Sequence, residues 1–325
     1  MRLAYDASRM VGRRTLLTFL AASAPGRSFA QQQMRVTIGT TSLEGGGYAL
    51  YSAAFLDMLK TVDPLLEVRV VPTRGSTENA ELLKTGDIDI GLVSGEMAHE
   101  LLDAEEGEAS RVRVVSVMYA SPGMFAVRAD SRFHRIADLA GRPIAWNVKG
   151  SGVEVQAHYV MDGLGLDMDR DFQPIYQERF SEAAPLVLSG RAAALWGSGF
   201  RWPPFVQLAD TAIGARFVYP DATEIARIRA KHPFMVPLTV PAGLYPGQYD
   251  PIDTIGTWSF ILARADLSNK LGARLASALS RAEHTGVLTK QLGQTTVANT
   301  LAAIASPDVL QPGVAEYYRK VGLMK

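Results

Sequence analysis

The sequence predicts an α/β protein of two lobes, each a mixed β-sheet flanked by helices, with a ligand cleft between them. Three observations carry this expectation. The chain has 325 residues and is 47% hydrophobic, enough for two compact units with their own cores. Short apolar runs alternate with amphipathic helical segments, which implies parallel strands joined by right-handed crossovers. That alternation runs twice, with extended crossings between the runs near 119–123 and 252–257.

The first run begins with an apolar strand at 35–39, followed by a glycine-rich loop from Thr40 to Gly47. Tyr51, Ala54, Phe55, Met58, Leu59 and Val62 then recur at helical spacing. A second strand spans 66–71, and Ser76 is placed to cap a helix that stops at Gly86. A third strand spans 88–93, with a helix at about 96–105. Strands at 112–119 and 124–128 follow, separated by the turn-like Ser121-Pro122-Gly123. A short helix spans 136–139, ended by Gly141. The second run has a strand at 143–147, a loop at 148–152 and a helix at 153–164. A helix at about 181–189 and a strand at 192–196 come next. The chain returns as a strand at 253–264 and ends in helices at about 267–285, 294–304 and 313–321. Lobe 1 is therefore expected from residues 31–120 plus 254–325, and lobe 2 from 121–253.

Residues 1–30 read as a signal peptide. Arg2, Arg9, Arg13, Arg14 and Arg27 stand against one acid, Asp6. Arg13-Arg14 precede an apolar run around Leu16–Ala22, and Ser28-Phe29-Ala30 offers small residues at a cleavage site. The apolar run is about ten residues, half of the roughly twenty a permanent span needs. The paired arginines resemble a twin-arginine signal, from which Gly12 and Leu17 depart. The expectation is a periplasmic protein cleaved after about Ala30. The whole chain balances 33 basic against 33 acidic residues; without the leader the net charge is −4.

Composition excludes several functions. Without cysteine there is no disulfide, thiolate metal site or cysteine nucleophile. Neutral charge without a basic run argues against nucleic acid. His99, His134, His158, His232 and His284 are too far apart in sequence to form a helical metal pair. No nucleophile elbow, phosphate-binding loop or dinucleotide fingerprint occurs. The reading is a protein that is not an enzyme, needs no cofactor and is a monomer.

Three loops point to a small anion. Ser42-Leu-Glu-Gly-Gly-Gly-Tyr48 leads into a helix, and its glycines, Gly46 among them, let backbone N–H groups approach a ligand. Arg74 precedes a helix start and can fork onto a carboxylate. Lys149-Gly-Ser-Gly-Val-Glu154 has capping-box spacing between Ser151 and Glu154. In open α/β sheets ligands sit beyond the carboxyl ends of strands, which gathers the loops 40–47, 73–77, 94–96, 148–152 and 197–203 around one cleft.

These loops, in order, resemble the TAXI family of solute-binding subunits of TRAP transporters. The resemblance runs from Ile38-Gly-Thr and Gly-Gly-x-Tyr48 through Gly75-Ser-x-Glu-Asn79, Gly86-Asp-Ile-Asp89 and Gly150-Ser-Gly-x-Glu154. It continues at His232-Pro-Phe-x-Val-Pro237, Pro241-Ala-Gly-x-Tyr-x-Gly-Gln248 and Pro312-Gly-x-Ala-x-Tyr-Tyr318. It implies the two-lobed periplasmic-binding-protein (Venus flytrap) fold. It also implies capture of a small carboxylate or acidic amino acid such as glutamate, and delivery to a membrane permease. The matching positions are Ser42–Tyr48, Ser76, Asn79, Ser151 and Gly152. Glu44 reads as an insertion, and Arg74 replaces a usual glycine. Ser94-Gly-Glu96 and Trp196-Gly-Ser-Gly-Phe200 also depart from the pattern, which puts the family's typical ligand in question for this chain.

The expected site has Arg74 or Lys149 on the carboxylate, with Ser76, Asn79 and Ser151 as hydrogen-bond partners. Tyr48, Trp196 and Phe200 form apolar walls, and a cleft-facing Glu96 takes a ligand ammonium. Two alternatives stay open: an exported enzyme on the same fold, and a periplasmic sensor that presents its ligand to a receptor kinase.

Overall fold

The computed structural model describes residues 34–41, 47–103, 111–289 and 291–325. The leader, Ser42, Glu44 and Gly46 lie outside these residues.

The first β–α run forms β1 (Met34–Gly39), α1 (Gly47–Val62), β2 (Leu66–Val71), α2 (Ser76–Thr85), β3 (Ile90–Val93) and α3 (Gly95–Leu102). β1 pairs in parallel with both β2 and β3. On α1, Tyr51, Phe55, Met58 and Leu59 are buried, the face that its periodicity marks. Each such side chain contributes about 1.5–3 kcal/mol by leaving water.

β4 (Val112–Arg128) is one continuous strand of 17 residues, which corrects the two strands expected. Ser121-Pro122-Gly123 does not turn, because the partner strand runs alongside it. The second run follows with β5 (Pro143–Val148), α4 (Gly152–Gly163), β6 (Gln173–Gln177), α5 (Ala183–Leu188) and β7 (Ala194–Ser198), with β5 parallel to β6 and β7. Then come α6 (Pro203–Ala209), β8 (Ala215–Val218), α7 (Ala222–Lys231) and β9 (Val236–Val240). β10 (Ile252–Arg264), α8 (Asn269–Thr285), α9 (Val297–Ala303) and α10 (Pro312–Lys320) complete the chain.

The sheet order is β2-β1-β3-β10-β4-β7-β5-β6, with β8 on β4 and β9 on β10. Near one end, β10 residues 260–263 pair β3; near the other, β4 residues 123–126 pair β7. The antiparallel pair β4–β10 thus carries two lobes. One core gathers buried side chains between Val36 and Met118 with others between Phe260 and Tyr318. Two further cores use side chains between Met124 and Ile255. Where the strands pass from lobe to lobe they touch closely: a Cβ on Gly256 would lie 2.1 Å from the Ser121 carbonyl oxygen.

The first lobe is tied at its base. Arg274 on α8 donates from Nε and Nη2 to Asp63 at 2.7 and 2.8 Å. That pairing holds the Asp63 carboxyl below the usual carboxylate range.

Candidate functional site

The parallel strands deliver their carboxyl ends to one place. β1 ends beside Thr40 and Thr41, β2 before Arg74 and Gly75, and β3 before Ser94. In the other lobe β5 leads to Ser151 and β7 leads towards Trp202. Helices α2, α3 and α4 start at these points. Their first N–H groups have no partner within the helix, and their dipoles are positive at this end.

A cavity lies here between the lobes. Among the described residues, Thr41, Gly47, Tyr48, Arg74, Gly75, Ser76, Ser94, Glu96, Tyr119 and Ser259 line it from the first lobe. Ser121, Ser151, Gly152, Val153, Gln156, Phe180, Ser198 and Trp202 line it from the second. Its water-accessible volume is about 60 Å³. One water needs about 10–15 Å³ on this measure, so the space suits a molecule of a few heavy atoms.

Hydroxyl groups line one wall. Tyr48 Oη lies 3.2 Å from Ser76 Oγ and donates to Ser259 Oγ at 3.5 Å, and Ser259 Oγ lies 3.2 Å from Ser121 Oγ. Burial pushes the Tyr48 phenol to about 12, so it stays a neutral hydrogen-bonding group at physiological pH. Ser76 is not the helix cap expected of it. Gly75 takes the cap position with φ 116°, and the Ser76 hydroxyl accepts from Ser94 N at 2.9 Å. Ser151 does cap α4, accepting from Glu154 N at 3.3 Å. Glu154 departs from the capping box, since its carboxylate accepts from Gly150 N at 3.1 Å.

Glu96 is the buried acid of the site, 1% exposed. Thr257 Oγ1 donates to its Oε1 at 2.8 Å. Burial raises its pKa, opposed by its own backbone N–H, then by Thr257, Ser94 and Gln156.

The lobes already touch. Thr77 Oγ1 donates to Gly150 O at 2.6 Å, and Tyr159 Oη donates to Glu100 Oε1 at 2.7 Å. His99 stacks on Phe234 with ring centroids 3.9 Å apart. A Cβ on Gly152 would sit 2.7 Å from Ser94 Cβ and 2.8 Å from Ser76 Oγ, so only glycine lets the lobes approach this far.

Tyr48, Arg74, Ser76, Glu96, Ser151 and Gly152 are thus brought together around the cavity. Four expected residues are not. Lys149 is exposed, with its ammonium 5.1 Å from the Tyr176 ring centroid. Asn79 is fully buried as a strut, donating from Nδ2 to Thr40 O and Leu92 O, each at 2.8 Å. Trp196 is fully buried in lobe 2, stacked edge-on against Phe125 and donating to Val153 O. Phe200 lines a neighbouring cavity with Leu50, Pro203 and Leu244. Arg74 is at the rim with 88% of its side chain exposed, paired with Glu78 at 3.2 Å. The sequence reading missed Tyr119, Ser121, Gln156, Phe180, Trp202 and Ser259, none of which has a local motif. Among the described residues no group of three or more His, Asp or Glu is placed to hold a metal ion, and no helix is long and apolar enough to cross a membrane.

The model of the NMT1-like family matches residues 38–322, nearly all of the described chain. The chain belongs to the NMT1-like family. Solved structures with the same arrangement include a protein from Bordetella bronchiseptica RB50, 15% identical, covering 89% of this chain and 80% of its own, with a TM-score of 0.53. An ancestral arginine-binding protein bound to arginine is 13% identical, covering 81% of this chain and 99% of its own, with a TM-score of 0.50. The periplasmic aliphatic sulphonate binding protein SsuA from Escherichia coli is 18% identical, covering 88% of this chain and 78% of its own, with a TM-score of 0.45. At these identities the likeness to the first two is one of fold. This NMT1-like chain has the two-lobed α/β fold of periplasmic binding proteins.

Proposed function

We propose that this protein is an exported solute-binding protein. It captures a small carboxylate or acidic amino acid by closing lobe 1 (31–120 with 254–325) on lobe 2 (121–253), then hands it to a membrane permease. The observation that carries this reading is the interlobe cavity onto which α2, α3 and α4 start. Helix N-termini favour an anion, each contributing about 0.3–1 kcal/mol and more when partly buried. With two or three charge-assisted hydrogen bonds of about 1.5–3 kcal/mol each, micromolar affinity is within reach after the cost of closure.

The test is a thermal-shift and native mass-spectrometry screen of residues 31–325 against organic acids and amino acids. The expected result is stabilisation by a bound solute that is recovered intact. Chemical turnover of that solute would replace this reading with that of an exported enzyme.

The finer assignment, a TAXI subunit feeding a TRAP permease, rests on the loop motifs around Gly75–Asn79 and Gly150–Glu154. Uptake through the partner permease is then driven by an ion gradient. Uptake that stops on ATP depletion while the gradient persists would overturn it. Export with cleavage after about Ala30 is checked by N-terminal sequencing of the periplasmic protein.

A further inference from the structure

Beside the cavity onto which α2, α3 and α4 start lies a second one. The first has about 60 Å³ of water-accessible volume, the second about 350 Å³. Gly47, Tyr119, Ser198 and Trp202 line both. Leu50 and Tyr51 on α1 also line the second from the first lobe, and Phe200, Pro203 and Leu244 line it from the second lobe. A molecule that reached from one cavity into the other would touch both lobes in each.

The second cavity differs in chemistry. Among the described residues no acid lines it. Its polar side chains are largely engaged already. Tyr51 Oη pairs with Thr295 Oγ1 at 2.8 Å, Ser198 Oγ donates to Ser121 O at 3.3 Å, and Gln294 Oε1 accepts from Ala120 N at 3.0 Å. What remains is hydrocarbon and ring: Leu50 is 54% exposed, and Phe200, Pro203 and Leu244 are half-buried. The wall is also set in place. Arg201, at a left-handed φ of 50°, donates from Nη1 to Leu244 O at 3.0 Å, and Tyr245 Oη donates to Gly199 O at 3.4 Å. Non-glycine residues seldom adopt that conformation, and such positions gather at ligand clamps. Trp202 packs edge-on against Phe180 and Phe205.

Apolar walls held around a cavity gain free energy when an apolar group takes them out of water. A second anion gains little there, because it loses hydration against walls whose donors are spent. Arg201 is exposed to water, where an ion pair contributes little. Resting on the solute-capture reading above, we propose that the ligand is a carboxylate with a bulky apolar tail, its acid group in the first cavity and its tail in the second. Selectivity then comes from the tail, and short dicarboxylates are disfavoured.

The test uses two triplets of probes with short, acid-ended and phenyl-ended tails: alanine, glutamate and phenylalanine, and propionate, glutarate and 3-phenylpropionate. Affinities are measured by calorimetric titration for the wild type, Leu50→Gln and Phe200→Ala. Any molecule carried through purification is identified by native mass spectrometry. In the triplet whose head group is accepted, the phenyl-ended member is expected to bind at least about 30-fold more tightly than the other two, as several carbons in an apolar pocket allow. Its binding heat capacity should be the most negative of the three. Each variant is expected to narrow that ratio at least about fivefold. Equal or tighter binding of the short or acid-ended member overturns the inference and leaves solute capture standing. So does a ratio that neither variant narrows, or a carried molecule without an apolar tail. If no probe binds and the purified protein carries no small molecule, solute capture fails and the inference fails with it.

Discussion

Glu96 ties stability to pH through one buried side chain. Its carboxyl is held above the ordinary value by burial, so the folded protein retains a proton that the unfolded chain has released. Stability therefore falls as pH rises from the ordinary carboxylate range through the raised value. Glu96→Gln is expected to raise the melting temperature of the ligand-free protein at pH 7 and to flatten that decline, as calorimetry across pH would register. Gly152 is the second decisive residue. Gly152→Ala places a methyl against Ser94 and Ser76 where the two lobes meet. An overpacked contact costs about 1–3 kcal/mol. Ligand affinity should fall roughly 5- to 150-fold, with little change in the melting temperature of the empty protein. An unchanged affinity by calorimetric titration would show that the lobes bind ligand without this approach. At this scale the sequence was legible where chemistry is local, as in the Ser151 cap. It misled for Lys149, because a long cationic side chain on a loop keeps its head in water; Arg74 lines the cavity at its rim. The cavity is instead built from residues far apart in the chain, such as Tyr48, Tyr119, Trp202 and Ser259, whose meeting no spacing announces.

Among elements, the helices and parallel strands with strong periodicity were readable, and the boundaries moved by a few residues. The exception is β4. Pro122 and Gly123 punctuate a sequence as a turn does, but continuous pairing with β10 overrides local preference. The stretch 203–240, with α6, β8, α7 and β9, had no element assigned from sequence; its strands are short and half-exposed. Two predictions belong to this scale. Asp63 joins the end of α1 to α8 through Arg274. Asp63→Asn should cost about 2 kcal/mol of stability at pH 7. The Asp63 carboxyl is depressed, so its contribution is present above the ordinary carboxylate value and lost as pH falls through the folded one. The variant should therefore differ least from the wild type in acid, and an equal deficit at every pH would place the effect in packing instead. Tyr159 on α4 reaches Glu100 on α3 across the lobes. Tyr159→Phe removes a bond worth about 0.5–1.5 kcal/mol and should speed ligand release by up to about tenfold in stopped-flow measurements.

At the scale of the molecule, the proposed capture is a change of lobe separation, which scattering reads directly. The radius of gyration should fall when ligand is added to the empty protein. Trp202 lines the cavity while Trp146 and Trp196 are sealed in the second lobe. The ligand-induced fluorescence change should therefore disappear in Trp202→Phe and persist in Trp146→Phe. The two-lobed plan was legible because alternating β and α segments leave few ways to bury both faces of each sheet. The way the first lobe is assembled has a kinetic consequence. Its core needs side chains before Met118 and others after Phe260, with a whole lobe threaded between them. A chain emerging from the ribosome can form most of the second lobe while the first still lacks β10 and α8. The final contacts join segments more than a hundred residues apart, and such closures are slow. Until they form, the strands of the first lobe keep an open edge, so the last quarter of the chain guards the first third against aggregation during biogenesis.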